Sequence, residues 1–230
     1  MKVVILCGGK GTRLSEYTED IPKPLIEIGG KPIIWHLMKI YEHYGHTDFI
    51  LCLGYKGEKI KSFFKDSTWN INFVDTGVES NKGERLRKIE EFIDEDNFLV
   101  SYGDDLCDVD INKVIDFHKK TGKIATLTAV QLISPFGILE LEGNEEIVGF
   151  REKPKLDYLM NGGFYVFNKK IFSYIKEGCD LEKDAFEKLA EEKEIAAFSH
   201  KGFWKSMNTL KDVMELNELW KGKKPWVVWK

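Results

Sequence analysis

The chain opens with an apolar run, Val3-Val4-Ile5-Leu6, that passes without a break into Cys7-Gly8-Gly9-Lys10-Gly11-Thr12-Arg13-Leu14. Such a run has no polar face to give to water, so it predicts a strand buried on both sides, as in the middle of a parallel sheet. The glycines predict a tight loop at that strand's carboxyl end. Lacking Cβ atoms, they let backbone N–H groups approach an anion closely. Arg13 closes the loop, and Lys23 follows ten residues later within Ile21-Pro22-Lys23-Pro24. A buried strand, a bare-backbone hollow and two cations together point to a polyphosphate ligand, and to an enzyme that cuts one.

Two common phosphate loops do not fit. A Walker A loop has four residues between its glycines and then Lys-Ser/Thr. A dinucleotide fingerprint reads Gly-x-Gly-x-x-Gly at the mouth of a helix, with an acid about 20 residues on. This chain has Gly-Gly-Lys-Gly-Thr-Arg and then Pro-Lys-Pro.

Periodicity alternates between strand and helix along the first half. Helical spacing covers Lys31–Tyr44, Gly57–Phe64, Lys82–Phe92 and Asp110–Thr121, and strand patterns cover Phe49–Leu53, Ile71–Val74 and Phe98–Tyr102. That alternation implies a mainly parallel, Rossmann-like sheet flanked by helices, with right-handed crossovers. A different region begins at Ala125–Gln131. Phe136–Leu141, Ile147–Glu152 and Gly162–Phe167 read as antiparallel strands, followed by a helix at Leu181–Glu191, a strand at Ala196–His200 and a helix at Leu210–Trp220. We expect one domain over residues 1–230, with a phosphate-binding part (1–124) and a second part that ends in a C-terminal helix and tail (125–230). Trp220, Trp226 and Trp229 are costly to leave in water, so they pack on the core or against another subunit.

The net charge of −4 excludes an electrostatic nucleic-acid binder. Cys7, Cys52, Cys107 and Cys179 show no metal-ligand spacing and read as buried free thiols, which implies a reducing compartment. No leader and no membrane-spanning run is expected, so the chain reads as cytoplasmic. The five histidines, His36, His43, His46, His118 and His200, form no ligand or triad pattern and read as surface or core-edge residues.

Ligands of open α/β sheets bind beyond the carboxyl ends of the strands. Gly8-Gly9, Asp75-Thr76-Gly77 and Gly103-Asp104-Asp105 should therefore line one cleft. Asp104 there is placed to hold Mg²⁺, which keeps several waters and takes one or two carboxylates; the bland alternative is a turn aspartate. Lys153, after Glu152, is either a phosphate clamp or part of a charged surface turn. Asn161-Gly162-Gly163 either approaches hydroxyl groups or marks a bulge. No nucleophile–base pair is present, which suits a direct displacement run on positioning and charge neutralisation.

These segments resemble the sugar nucleotidyltransferases from end to end, and within them the glucose-1-phosphate cytidylyltransferases. The resemblance rests on the glycine loop with Pro-Lys-Pro, on Ile28-Gly29-Gly30-Lys31-Pro32, Gly54-Tyr55-Lys56-Gly57, Val74-Asp75-Thr76-Gly77 and Tyr102-Gly103-Asp104. It continues through Phe136-Gly137, Glu152-Lys153-Pro154-Lys155, Asn161-Gly162-Gly163, Gly202-Phe203-Trp204, Leu210-Lys211-Asp212 and Pro225-Trp226. It implies the nucleotide-diphospho-sugar transferase fold and a reaction of CTP with a sugar 1-phosphate, assisted by Mg²⁺, in a homo-oligomer. It implies nucleotide binding by Leu6, Cys7, Gly8, Gly9, Gly11, Thr12, Arg13, Lys23, Thr76, Arg85 and Gly103, with Arg13, Lys23 and Asp104 catalytic. It implies sugar binding by Asp105, Gly137, Glu152, Lys153, Asn161, Gly162 and Trp204, and metal binding by Asp104 and Asn208.

Four features depart from the pattern. Met207-Asn208-Thr209 stands where the family has Met-Asp-Thr. Asp105 replaces the second glycine of Gly-Asp-Gly, and Glu84 replaces the second glycine of Gly-Gly-Arg. The stretch from Gly57 to Val74 is also shorter than in larger members. A cytidylyltransferase with another phosphorylated acceptor, and a non-catalytic nucleotide- or sugar-sensing homologue, fit the same residues.

Overall fold

The computed structural model describes residues 1–14, 18–143 and 145–229. In chain order, β1 (Val3–Leu6) is followed by a hairpin of β2 (Glu27–Ile28) and β3 (Lys31–Pro32). Next come α1 (Ile33–His43), β4 (Asp48–Leu53), α2 (Gly57–Phe64), β5 (Asn70–Asp75), α3 (Lys82–Arg87), β6 (Asn97–Tyr102), β7 (Asp105–Cys107) and α4 (Ile111–Thr121). The second half runs β8 (Ala125–Ile133), β9 (Ile138–Glu142), β10 (Glu146–Arg151) and β11 (Lys155–Asn168). A wide π-type turn at Leu181–Phe186 then leads into α5 (Glu187–Glu191), β12 (Ile195–His200), β13 (Trp204–Ser206) and α6 (Leu210–Lys221).

Seven strands form one sheet in the order β12-β8-β11-β6-β1-β4-β5. β1 is parallel to β4 and β6, β4 is parallel to β5, and β12 is parallel to β8. Only β11 runs against its neighbours β6 and β8. Leu6 pairs with both Cys52 and Tyr102, and Leu53 pairs with Asp75. The carboxyl ends of four strands thus come level, and Gly8, Gly54, Thr76 and Gly103 all emerge at one rim.

All of β1 is buried, as its composition demands. Val3 and Ile5 enter a core with Ile33, Leu37, Ile40 and Tyr41 of α1, whereas Val4 and Leu6 enter a second core with Leu86, Tyr165, Phe167 and Leu189. Each such side chain contributes about 1.5–3 kcal/mol on burial. Helix boundaries follow local chemistry. Pro32 sits at the N-cap of α1, where its missing N–H costs nothing. Asp110 caps α4 by accepting from the Lys113 N–H, and Gly122 ends it in the left-handed region. Thr209 and Asp212 form a reciprocal capping box at α6.

The structure corrects several boundaries. The helix expected over Lys82–Phe92 stops at Arg87, and Glu90–Phe92 is a separate 3₁₀ turn. The chain tightens there to carry Ile89 and Ile93 into the second core before β6 begins. The helix expected over Leu181–Glu191 starts as the π-type turn, which lets Leu181, Ala185, Phe186 and Leu189 all reach the core. The β7–β13 and β2–β3 pairs carry too few residues for a periodicity to register. The turn between β2 and β3 places both Gly29 and Gly30 at positive φ, the conformation for which a Gly-Gly turn is suited.

Trp226 is fully buried, so the tail packs on the chain's own core. Its ring lies 5.9 Å from His36, 5.7 Å from Phe203 and 6.1 Å from Trp220. His36 is no surface or core-edge residue: it is completely buried on the inner face of α1. Its Nε2 lies 2.8 Å from the Ile28 carbonyl, and its Nδ1 accepts from Trp226 Nε1 at 3.4 Å. Burial lowers its pKa, which keeps the ring neutral in that one tautomer. His118 is likewise buried, between Thr126 and Asn97. All four cysteines are buried and free.

β9 and β10 form a separate antiparallel arm beyond the main sheet. With the neighbouring parts of β8 and β11 it exposes Ile133, Phe136, Leu141, Phe150, Tyr158 and Leu159. Among the described residues, no helix is long and apolar enough to cross a membrane.

Candidate active site

At the rim where the strands end lies a cleft of about 680 Å³. The glycine loop forms one wall: Leu6, Cys7, Gly8, Gly9, Gly11, Thr12 and Arg13 all line it. The loop is pinned from behind. The Tyr55 N–H donates to the Gly8 carbonyl at 2.9 Å, and the Gly103 N–H donates to the Leu6 carbonyl at 3.1 Å. Only glycine fits at position 8, because a Cβ there would lie 2.2 Å from Arg85 Nη1 and 2.8 Å from the Gly54 nitrogen.

Arg85 is the principal brace of this rim. Its Nη1 donates to the Leu53 carbonyl (3.1 Å), Thr76 Oγ1 (2.7 Å) and the Gly77 carbonyl (2.8 Å). Its Nη2 donates to the carbonyls of Gly8 (3.1 Å) and Val78 (3.2 Å). One buried, planar guanidinium therefore ties the ends of β1, β4 and β5 together. Arg85 borders the cleft, but its donors are spent on the protein. Thr76 is completely buried under the loop and donates to the Leu53 carbonyl at 2.6 Å. Both residues shape the glycine-loop wall from behind.

On the opposite wall, Gly103, Asp104, Asp105, Asn161, Trp204 and Asn208 face the same space as Lys23. The Lys23 ammonium donates to Asp104 Oδ2 and, at 3.1 Å, to Asn208 Oδ1. The Asp104 side chain is 22% exposed, so the pair is open to the cleft. The Asn208 amide is oriented by its Nδ2, which donates to Ser206 Oγ at 2.8 Å, and its backbone N–H donates to Asp212 Oδ2 at 3.0 Å. The Met207 N–H donates to the Asp104 carbonyl at 2.9 Å, which fixes the two segments side by side. A carboxylate oxygen and an amide oxygen thus converge on one cationic group. That hard-oxygen donor set fits a divalent cation of the Mg²⁺ type.

Asp105 lies at the floor, almost fully buried, where Asp105 and Ser206 are paired across the β7–β13 ladder. Burial raises its pKa most, with the Asp104 charge next, while a hydrogen bond from Ser206 works the other way. Its carboxylate fits only because residue 163 is glycine: a Cβ there would lie 2.3 Å from Asp105 Oδ2. Trp204 Nε1 donates to the Gly162 carbonyl at 2.7 Å, so Gly162 holds the indole from outside the lining.

Gly137, Glu152 and Lys153 are not in the cleft lining. They stand at the arm, with Glu152 62% and Lys153 53% exposed and their charges 3.7 Å apart. A Cβ at Gly137 would meet Glu152 Oε2 at 3.2 Å, so these residues cluster with each other. Sequence reasoning missed Lys10, the run Val78–Lys82, Tyr102, Asp180 and Ser206, all of which line the cleft. The signal for Val78–Lys82 was present, since that run continues the loop after β5. Asp180 and Ser206 arrive by tertiary packing alone. Away from the cleft, Cys107, Asp108 and His200 bring ligand-type atoms within 4.8 Å of one another. Burial holds the Cys107 thiol protonated, and Asp108 already bonds His200 Nε2 at 2.8 Å, so the group reads as packing.

Comparison with known proteins agrees with this geometry. The nucleotidyl transferase family model matches residues 2–222. A probable glucose-1-phosphate cytidylyltransferase of Bacillus subtilis (strain 168) is 42% identical, and the glucose-1-phosphate cytidylyltransferase of Salmonella typhi is 44% identical, each over 100% of both chains. Among solved structures, HddC from Yersinia pseudotuberculosis superposes with a TM-score of 0.75 at 26% identity, covering 95% of this chain and 99% of that one. From the glycine loop at its amino end to the closing helix, the chain belongs to the nucleotidyl transferase family, in the company of the glucose-1-phosphate cytidylyltransferases.

Proposed function

We propose that this protein is a cytidylyltransferase that joins CTP to α-D-glucose 1-phosphate, giving CDP-glucose and pyrophosphate. The carrying observation is the convergence of the Gly8–Arg13 loop, Lys23, Asp104 and Asn208 on one cleft, in a chain that matches cytidylyltransferases along its whole length. In this reading the loop's N–H groups and Arg13 hold the triphosphate, and Lys23 neutralises charge at the α-phosphate. Asp105, Asn161 and Trp204 border the sugar. A phosphate oxygen of glucose 1-phosphate attacks the α-phosphorus in line, and its new bond forms as the bond to pyrophosphate breaks. That oxygen is already ionised, so no general base is needed. Asp104 and Asn208 would hold Mg²⁺, which when bound neutralises charge on the phosphate oxygens. The free buried thiols support a cytoplasmic setting, and the apolar arm supports association of several copies.

Pyrophosphate release tests the assignment. With glucose 1-phosphate as acceptor, CTP should outpace UTP, dTTP and GTP by about a hundredfold or more in kcat/KM, the discrimination expected when buried groups hydrogen-bond a base. Equal rates would defeat the cytidine assignment. The cation site has its own check. Asn208→Asp should tighten Mn²⁺ binding, followed by electron paramagnetic resonance, by about tenfold. A unit charge about 4 Å from a divalent cation is worth about 8 kcal/mol at a dielectric of 20, most of which is lost to desolvation and because Lys23 pairs with the new carboxylate. An unchanged affinity would place that side chain off the ion.

A further inference from the structure

Behind the acceptor wall runs a chain of side-chain hydrogen bonds, three of whose members, Tyr165, Glu182 and Lys82, stand in no sequence motif. Asn161 Nδ2 donates to the Tyr165 hydroxyl at 2.7 Å, and that hydroxyl donates to Tyr102 Oη at 2.8 Å. The Tyr102 hydroxyl in turn donates to Glu182 Oε1, which also accepts from the Lys82 ammonium. The five residues come from four elements: Asn161 and Tyr165 from β11, Tyr102 from the end of β6, Glu182 from the π-type turn and Lys82 from the first position of α3. Asn161, Tyr102 and Lys82 face the cleft, while Tyr165 is buried behind it.

The charge at one end sets the direction of every bond. A carboxylate has no proton to give, so Tyr102 must donate toward Glu182. Tyr102 can then only accept from Tyr165, and Tyr165 can only accept from an N–H of Asn161. Burial, with Tyr165 and Glu182 alongside, pushes the Tyr102 phenol far up, so it stays a donor. The Asn161 amide is thereby locked with Nδ2 toward Tyr165 and Oδ1 accepting from the Gly163 N–H at 3.2 Å. What remains for a ligand is one amide hydrogen and one carbonyl lone pair, in fixed places. Glu182 Oε2 is buried without a partner among the described residues, so the carboxylate depends on Tyr102 and Lys82. Such a network is sensitive to the loss of one member. The wide turn at Leu181–Phe186, a geometry enriched at functional sites, is what brings Glu182 to Tyr102.

We propose that Glu182 is a positioning residue: through Tyr102 and Tyr165 it sets the donor–acceptor pattern that Asn161 presents to the hydroxyl groups of the sugar phosphate, and through its ion pair it holds Lys82 on the nucleotide side. The inference rests on the reading of this cleft as a nucleotide and sugar-phosphate site.

Tyr102→Phe keeps the ring and the Lys82–Glu182 pair but breaks the chain. It should raise KM for glucose 1-phosphate about tenfold, the worth of one such hydrogen bond, and leave kcat and the KM for CTP within about twofold. Tyr165→Phe should show the same split, and serves if the first variant folds poorly. Glu182→Gln keeps an acceptor oxygen and should hold the acceptor KM within about threefold of the parent, whereas Glu182→Leu frees Lys82 and should raise both KM values about tenfold or more. A cross-brace that only stabilises the fold would lower the melting temperature without a split between substrates, and that result, or equal damage from Gln and Leu, overturns the proposal. A parent enzyme that releases no pyrophosphate from CTP and glucose 1-phosphate would instead sink the functional reading. Turnover by the parent with an unshifted acceptor KM in both phenylalanine variants would sink the positioning role alone.

Discussion

Asp104→Ala is expected to lower kcat about a thousandfold while the protein stays folded, the upper end of what loss of one preorganised electrostatic group costs. Two functions are lost at once. The carboxylate is the only charged oxygen of the Lys23–Asp104–Asn208 cluster, so without it the cation site keeps a single neutral amide oxygen. Lys23 also loses the partner that holds its ammonium at the cleft. The fold should not suffer, because the structural tie at this position is the Asp104 backbone carbonyl, which accepts from the Met207 N–H and is unaffected by the substitution. Steady-state pyrophosphate release measures the first expectation and thermal unfolding the second. A variant that keeps full activity removes Asp104 from the reaction.

Arg85→Ala is expected to destabilise the protein by about 4 kcal/mol. The Gly77 and Val78 carbonyls lose their donor, at about 1–3 kcal/mol each before relaxation. The Leu53 and Gly8 carbonyls keep their bonds from Thr76 and the Tyr55 N–H but lose the guanidinium that ties them together. For a chain of this size that is a fall in melting temperature of about 8–16 °C. Lysine should not rescue it, since a point charge cannot reach five acceptors spread over one plane. The measurement also decides between two roles. A brace lowers the melting temperature in the absence of nucleotide, whereas a direct nucleotide contact would raise the KM for CTP and leave the free protein's stability unchanged.

The difference between these two positions shows where sequence reading reaches and where it stops. Asp104 was legible because an acid directly after a buried strand, at a sheet's carboxyl rim, has few other uses. The glycine loop, Lys23 and the parallel strands were legible for the same reason: local composition dictates local shape. Arg85 was assigned to the nucleotide, yet its donors go to carbonyls of Gly8, Leu53, Gly77 and Val78, partners that only the folded register brings within reach. Glu182 was invisible because it sits in what reads as an ordinary amphipathic helix; the extra residue in its first turn redirects the side chain. His36 looked like a scattered surface histidine because its two partners, Ile28 and Trp226, lie far from each other in sequence. Glu152 and Lys153 carry a motif that the family places near the sugar, but here they stand on the exposed arm.

The placement of β11 limits how such an enzyme can diversify. In the proposed function that strand carries the acceptor side through Asn161, yet it lies between β6, which delivers Asp104, and β8. Backbone ladders run through it to both neighbours, so the two proposed substrate sides share one continuous sheet. Grafting the corresponding half of a relative would replace the strand that flanks β6, which leads into Asp104. New acceptor preferences are therefore reached by swapping single side chains on a shared frame, within limits such as the one at Asp105, whose carboxylate leaves room for no side chain at residue 163.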